Sequence, residues 1–373
     1  MADMPGTRLP RLLALLACLA TLSGCGEEAP IRIGFVGSLS GRGADIGESS
    51  RKAVQLAIEA RNAQGGIDGR AIELLVRDDR TSAEGGAQAA RELADADVDL
   101  VIGPNISAVA SGIVPVINER QLLTISPTVS ALAFAGVDDM FLRINWTTRD
   151  NARTYAQWQV EAQARRRLAL AYDTNNAVFS RSWADEFARA ASEFGGEIVA
   201  EVGLDGNQPT GFSDVASALL LPAPDAVIMI ANAVDVARLA QQLRKTDPTV
   251  PLVAAEWAGS EQLIALGGRA IEGLELVQAY DRQSQAPGYL QFRQAYVARF
   301  RDEPGYASIA AYDAATVALE GLLRREGRET LKQTIARIAT FQGLQQPVRF
   351  DPFGDAERKA FFVRVRDGRF IRE

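Results

Sequence analysis

The sequence predicts an α/β protein built from two doubly wound, parallel-sheet lobes. Two observations carry this reading. Apolar runs without polar alternation recur along the chain, and amphipathic helical segments separate them. Strands covered on both faces read as continuous apolar runs, and repeated strand–helix–strand order produces layered α/β architecture. A third observation qualifies the pattern, because the alternation breaks near the C-terminus.

Taken in order, the candidate strands are 31–36 (IRIGFV), 72–76 (IELLV), 98–102 (VDLVI), 122–125 (LLTI), 168–172 (LALAY), 226–230 (AVIMI) and 250–255 (VPLVAA). Helical spacing places Ala53, Val54, Ala57 and Ile58 on one face of 46–63. The same spacing aligns Trp183, Phe187, Ala190, Ala191 and Phe194 in 180–195, and Phe212, Val215, Ala216, Leu219 and Leu220 in 211–221. Such stripes are core-facing. One series runs from Ile31 to about Asn145 and a second from about Trp146 to Glu272. Helical segments at 288–302, 306–325 and 329–340 follow. Then Phe361, Val363 and Val365 alternate with polar residues ahead of Asp367-Gly368, a hairpin signal.

The first residues belong to a different category. Arg8 and Arg11 precede an apolar stretch at 12–22, the arrangement of a secretory signal. That stretch is too short for a bilayer span, which needs about 20 residues. Leu22-Ser23-Gly24-Cys25 resembles a bacterial lipoprotein signal. Residues 1–24 are therefore expected to be removed, Cys25 to be lipidated, and 25–30 to form a tether. No other apolar run approaches the length of a span, so the expected product is a soluble body anchored to a membrane, in the periplasm or at the cell surface.

Composition excludes several functions. The net charge of −7 argues against a broad nucleic-acid face. The absence of histidine removes the commonest general base and the usual zinc ligand. The two cysteines, Cys18 and Cys25, both lie near the start, so the body holds no thiolate cluster. No cofactor or metal is expected. The triplet Arg165-Arg166-Arg167 reads as a solvated helix end.

Motifs for phosphate chemistry also fail. The turn at 36–47, VGSLSGRGADIG, contains Gly41 and Gly43, but a dinucleotide fingerprint needs glycine three residues after the second, and that position is Ile46. No P-loop lysine follows. Asp78-Asp79 reads as a strand-end turn whose aspartate caps the next helix. Ser107 and Ser126 lack a nucleophile elbow and a histidine partner. No catalytic residues are assigned, and a hydrolase is disfavoured.

Several segments carry a family likeness across almost the whole body. They are 34–79, with NAQGGIDGR at 62–70; 101–119 (VIGPNISAVASGIVPVINE); 122–133 (LLTISPTVSALA); GFSDVASAL at 211–219; 224–244; AAEWAGSEQL at 254–263; and YASIAAYDAATVAL at 306–319. In this order the chain resembles bacterial type I periplasmic binding proteins of the branched-chain amino acid (leucine/isoleucine/valine) ABC transporter family. The resemblance implies two α/β lobes joined by a three-segment hinge, with crossings near 143–147, 272–282 and 343–350. Lobe 1 is expected to comprise 31–145 and about 275–345, and lobe 2 to comprise 146–274 and about 346–373.

The resemblance also implies a site. A buried zwitterion needs donors for its carboxylate and an anion for its ammonium. Ser107, Thr128 and Ser130 take the first role and Glu256 the second. On the bare sequence, Ser107 and Ser130 also read as helix N-caps, and Glu256 as a loop acid. Ile46, Phe179, Asn232, Trp257 and Tyr306 align with positions that contact the ligand side chain, and Trp146 is placed to narrow the cleft. Leucine-type members carry tyrosine where this chain has Ile46, Phe179 and Asn232, and the family's lobe 1 disulfide is absent. The ligand is therefore expected to be an amino acid or a related small polar molecule, with amides, urea and aromatic acids as alternatives. The expected partner is an ABC permease, the expected motion is hinge closure, and the alternative role is a sensory lipoprotein.

Overall fold

The computed structural model describes residues 29–208 and 211–373; the expected signal segment 1–24 and Cys25 lie outside them. The first sheet contains β1 (Ile31–Gly37), β2 (Ile72–Asp78), β3 (Leu100–Ile102), β4 (Thr124–Ser126) and β5 (Phe141–Arg143). Its order is β2-β1-β3-β4-β5, and every pairing is parallel. Helices α1 (Ala44–Asn62), α2 (Ala83–Asp95) and α3 (Ser107–Arg120) supply the crossovers. Alternate strand residues feed opposite cores, as a period of two requires. Ile33, Phe35, Leu100 and Ile102 enter one, while Val36 and Val101 enter the other. Full burial of a large apolar side chain stabilises by roughly 1.5–3 kcal/mol.

The second lobe repeats this plan. After α4 (Thr148–Gln157), the strands β6 (Arg167–Asp173), β7 (Glu197–Leu204), β8 (Ala226–Ile230), β9 (Leu252–Ala254) and β10 (Glu275–Gln278) form a parallel set. Between them run α5 (Ala177–Glu193), α6 (Phe212–Leu220), α7 (Ala233–Thr246) and α8 (Glu261–Gly267). The parallel order, β7-β6-β8-β9-β10, matches that of the first sheet. On α5 the predicted stripe is buried at Trp183, Phe187, Ala190 and Ala191, while Phe194 lies past the helix end and is half-buried; Trp183 stacks on Phe187 at 5.2 Å and Tyr155 meets Trp183 edge-on at 5.1 Å.

The broken alternation resolves as a return to both lobes. Helices α9 (Pro287–Phe300), α10 (Tyr306–Leu323) and α11 (Leu331–Ile338) contribute Tyr289, Ile309, Val317 and Ile335 to the first core. Three short strands, β11 (Thr340–Phe341), β12 (Val348–Phe350) and β13 (Ala356–Glu357), form a small antiparallel sheet whose Phe341, Val348 and Ala356 join that core. Finally β14 (Phe361–Arg366) and β15 (Arg369–Arg372) add antiparallel strands to the second sheet beside β10.

Boundaries differ from expectation for physical reasons. The chain passes between the lobes at 144–147, 279–286 and 358–360. The second follows β10, so Glu275 belongs to the second sheet and not to lobe 1. The third comes after the expected 343–350, because 340–357 folds onto the first core. Arg143, fully buried, fastens that segment: its Nε donates to Asp355 Oδ1 at 2.8 Å and its Nη1 to the Ala131 carbonyl at 2.9 Å. The basic triplet is not simply a solvated helix end either. Arg165 is mostly buried and grips Glu275 with two donors at 2.7 and 3.0 Å. Nor does Asp79 cap α2; Ser82 does, accepting from Gly85 N.

One hydroxyl completes the second sheet. β9 and β10 pair in register only at Val253 and Glu275, which leaves Val277 without a β9 partner. The Tyr155 hydroxyl accepts from Val277 N at 2.7 Å and donates to its carbonyl at 3.1 Å. Tyr155→Phe should therefore lower stability by about 1–3 kcal/mol, since both buried backbone groups lose their partner. Urea unfolding checks this, and a loss within about 0.5 kcal/mol would mean that the bridge does not brace the sheet.

Candidate functional site

Both parallel sheets reverse direction beside their first strand, and open α/β sheets form crevices beyond the strand carboxyl ends at such points. Here those ends face each other. Ser107 opens α3 just after β3; Thr128 and Ser130 follow β4; Asn145 follows β5. From the other lobe, Asn176 and Phe179 follow β6, and Glu256 lies just past β9 in a single turn, Glu256–Ala258. With Trp257 and Tyr306 these residues line one cavity.

Glu256 is the electrostatic centre of the cavity. It is 9% exposed and receives hydrogen bonds from Asn151 Nδ2 at 2.9 Å and Trp183 Nε1 at 3.2 Å. Both donors are neutral, and among the described residues no lysine or arginine is paired with it. Burial pushes its carboxyl up to about 7, with the Trp183 hydrogen bond acting in the opposite sense.

Opposite it, the serine side is built from short loops. Neither serine caps a helix, contrary to the simpler reading: the residue preceding α3 is Ile106, without a side-chain cap, and the turn after Ser130 starts from Ala131. Ser107 and Ser130 are buried. The Thr128 hydroxyl donates to the Asn105 carbonyl at 2.7 Å and so fixes one loop against the other. The first amides of α3 point into the cleft, and that of Ala108 is held by Asn176 Oδ1 of the opposite lobe at 3.0 Å. Phe179 meets Trp257 edge-to-face at 5.6 Å, and the Tyr306 hydroxyl donates to the Trp257 carbonyl at 3.4 Å.

Polar contacts also cross between the lobes at the rim. Arg42, in the turn at 41–43, donates to Asp235 at 2.8 and 2.6 Å and to the Gly206 carbonyl. Ser260 donates to Asp45 at 2.9 Å. The approach of Arg42 needs the glycine at 206, where a Cβ would lie 1.9 Å from Arg42 Nη1 and 2.2 Å from Asp235 Oδ2.

A model of the periplasmic binding protein family matches residues 30–369. The chain belongs to the periplasmic binding protein family. It is similar to the leucine-, isoleucine-, valine-, threonine- and alanine-binding protein of Pseudomonas aeruginosa, at 23% identity over 361 residues covering 95% of each chain. Among solved structures, a leucine-binding protein from Thermotoga maritima matches with a TM-score of 0.85 and 23% identity, covering 92% of this chain and 97% of that one. A branched-chain amino acid transporter substrate-binding protein from Streptococcus pneumoniae, in complex with isoleucine, matches with a TM-score of 0.84 and 20% identity, covering 92% and 100%. These likenesses show the two-lobed type I fold. As a member of the family, the chain is an extracytoplasmic solute-binding protein and not an enzyme.

Within this periplasmic binding protein, seven of the nine expected ligand positions line the same cavity: Ser107, Thr128, Ser130, Phe179, Glu256, Trp257 and Tyr306. Two do not. Ile46, in the first turn of α1, lines a neighbouring groove with Asp45, Ser49, Lys52, Ser260 and Tyr306. Asn232 caps α7, accepting from Asp235 N at 3.0 Å, and donates to Asp235 Oδ2 at 2.8 Å. It orients the Arg42 partner rather than the cavity wall. Sequence reasoning missed Asn105, Asn145 and Asn176. The available signal was an asparagine close behind a strand, where Asn favours turns.

The Glu256 carboxyl gives a pH prediction. Its folded value lies above the ordinary carboxylate value of 4.5, so the native state binds the extra proton between about pH 4.5 and 7. The corresponding stability is fully present below pH 4.5 and is lost as pH rises through about 7, amounting to about 3 kcal/mol at most. Asp79, raised by burial to about 6, acts with the same sign. Comparing urea stability at pH 5 and pH 8 in the wild type and Glu256→Gln isolates the Glu256 share. The variant should lose less stability on going to pH 8; equal losses would show that Glu256 does not titrate in this window.

Proposed function

We propose that this chain is the lipid-anchored substrate-binding component of an ABC importer, capturing an amino acid or a related small polar ligand between its lobes. The observation that carries the reading is Glu256: a buried carboxylate held by two neutral donors and no cation. A buried charge without a counter-charge is costly. A ligand ammonium supplies the missing cation. The ligand carboxylate is received by the Ser107 and Ser130 hydroxyls and by the amino end of α3, where positive dipole density favours an anion. Phe179, Trp257 and Tyr306 form the walls around the side chain.

Ligand first meets the serine loops of lobe 1. Lobe 2 then swings about the three passages and brings Glu256 onto the ammonium, while Arg42 and Asp235 latch the rim. Domain closure of this kind is a known way for two lobes to trap a solute. Ile46 and Asn232 act from the rim, the first by shaping the groove beside Tyr306 and the second by orienting Asp235. The amino-acid names of the similar proteins support the ligand class, and a membrane permease is the partner of the closed form. The Leu22-Ser23-Gly24-Cys25 motif supports the anchor.

A thermal-shift panel of amino acids, amides and aromatic acids tests the ligand class, because a ligand that binds only the native state raises its melting temperature. Glu256→Ala should weaken amine-bearing ligands by at least about 30-fold, as loss of one member of a buried charge pair costs 2–5 kcal/mol. Unchanged affinity would remove Glu256 from the ammonium site. In cells, Cys25→Ala should move the protein from the membrane fraction to the soluble extracytoplasmic fraction; retention on membranes would contradict the anchor.

A further inference from the structure

A second cavity adjoins the same cleft, beside the passages between the lobes. It shares Thr128, Asn145, Glu256 and Tyr306 with the first, so a ligand seated there can reach it. Its walls are largely apolar, with Pro127, Ile144, Trp146 and Ile309 among them. Besides the shared polar residues and Gln278, Arg358 and Tyr280 interrupt them. Arg358, with its side chain 4% exposed, donates through Nη2 to Asp313 Oδ2 at 2.6 Å, but its Nη1 has no hydrogen-bond partner. Tyr280, 3% exposed, has a hydroxyl that approaches Gln278 without completing a hydrogen bond of ordinary geometry. Buried donors are almost always satisfied in folded proteins, and two orphans lining one cavity call for an acceptor.

We propose that this cavity is a second subsite, and that the ligand is an α-amino acid whose side chain ends in a carboxamide or carboxylate oxygen received by Arg358 Nη1 and the Tyr280 hydroxyl. The inference rests on the amino-acid reading above and narrows it. An aliphatic side chain fills the apolar walls but leaves both donors unpaired, whereas an oxygen-tipped chain satisfies walls and donors together. Sites with buried donors discriminate strongly against analogues lacking the acceptor. Asp313 already balances the Arg358 charge, so a neutral carboxamide is received at least as well as a carboxylate. The Tyr280 oxygen can in turn accept from an amide N–H.

Calorimetry on the purified chain with L-glutamine, L-glutamate, L-leucine and L-norleucine tests this. L-glutamine is expected to bind at least 10-fold tighter than L-leucine and L-norleucine, with L-glutamate between them and L-glutamine. Tyr280→Phe removes only the hydroxyl and keeps the ring, so the fold is retained. It should reduce the L-glutamine preference about 5-fold while leaving L-leucine unchanged, and Arg358→Lys should erode the same preference. If L-leucine and L-norleucine bind as tightly as the oxygen-tipped pair, or Tyr280→Phe weakens all four alike, the subsite is overturned while the amino-acid reading stands. If no α-amino acid binds, that reading falls and takes the subsite with it.

Discussion

Glu256 is a carboxylate that folding strips of water and surrounds with neutral donors. Much of the second lobe is arranged to keep it so. Trp183, stacked on Phe187 in the core, presents its indole N–H; Asn151, on α4, presents its amide. The same α4 carries Tyr155, which braces β10 through Val277 and packs against Trp183. An ionised carboxylate in this position is unfavourable until a cation arrives. Folding around Glu256 therefore carries a desolvation cost, which is what raises its carboxyl.

The parallel sheets explain why the other groups meet it. Each lobe has the same strand order, and each opens its crevice where strand direction of travel reverses. The serine loops come from β3 and β4, and Glu256 from β9, so no single lobe holds the complete set. Among the described residues, hydrogen bonds across the gap run from Arg42 to Asp235 and Gly206, from Ser260 to Asp45, from Ala108 to Asn176 and from Tyr306 to the Trp257 carbonyl. Each exchanges a water-satisfied group for a partner and contributes little net free energy by itself.

Legibility of the fold followed the strength of the local pattern. Long buried strands such as β1, β6 and β8 announced themselves as apolar runs, and α1 and α5 by their stripes. β7 did not, because as an edge strand it exposes Glu197 and Glu201 and lacks a continuous run. β5, β10 and β11–β13 are two to four residues long, too short for any period to register. The misplaced third passage follows from this, since the small sheet that carries Val348 and Ala356 back to the first core has no pattern of its own.

By itself, the sequence determined the chemistry available: no histidine, no thiol in the body, an acidic balance, two series of strand and helix, and the residue types that a zwitterion requires. It also carried the order of motifs that aligns seven cavity residues with a known family. Tertiary structure alone decided that Asn232 serves Asp235, that Ile46 lines a neighbouring groove, and that Arg358 and Tyr280, distant from every motif, reach the same cleft. The reason is physical. Composition and periodicity depend on neighbours along the chain, whereas desolvation and hydrogen-bond satisfaction depend on which elements pack together across hundreds of residues.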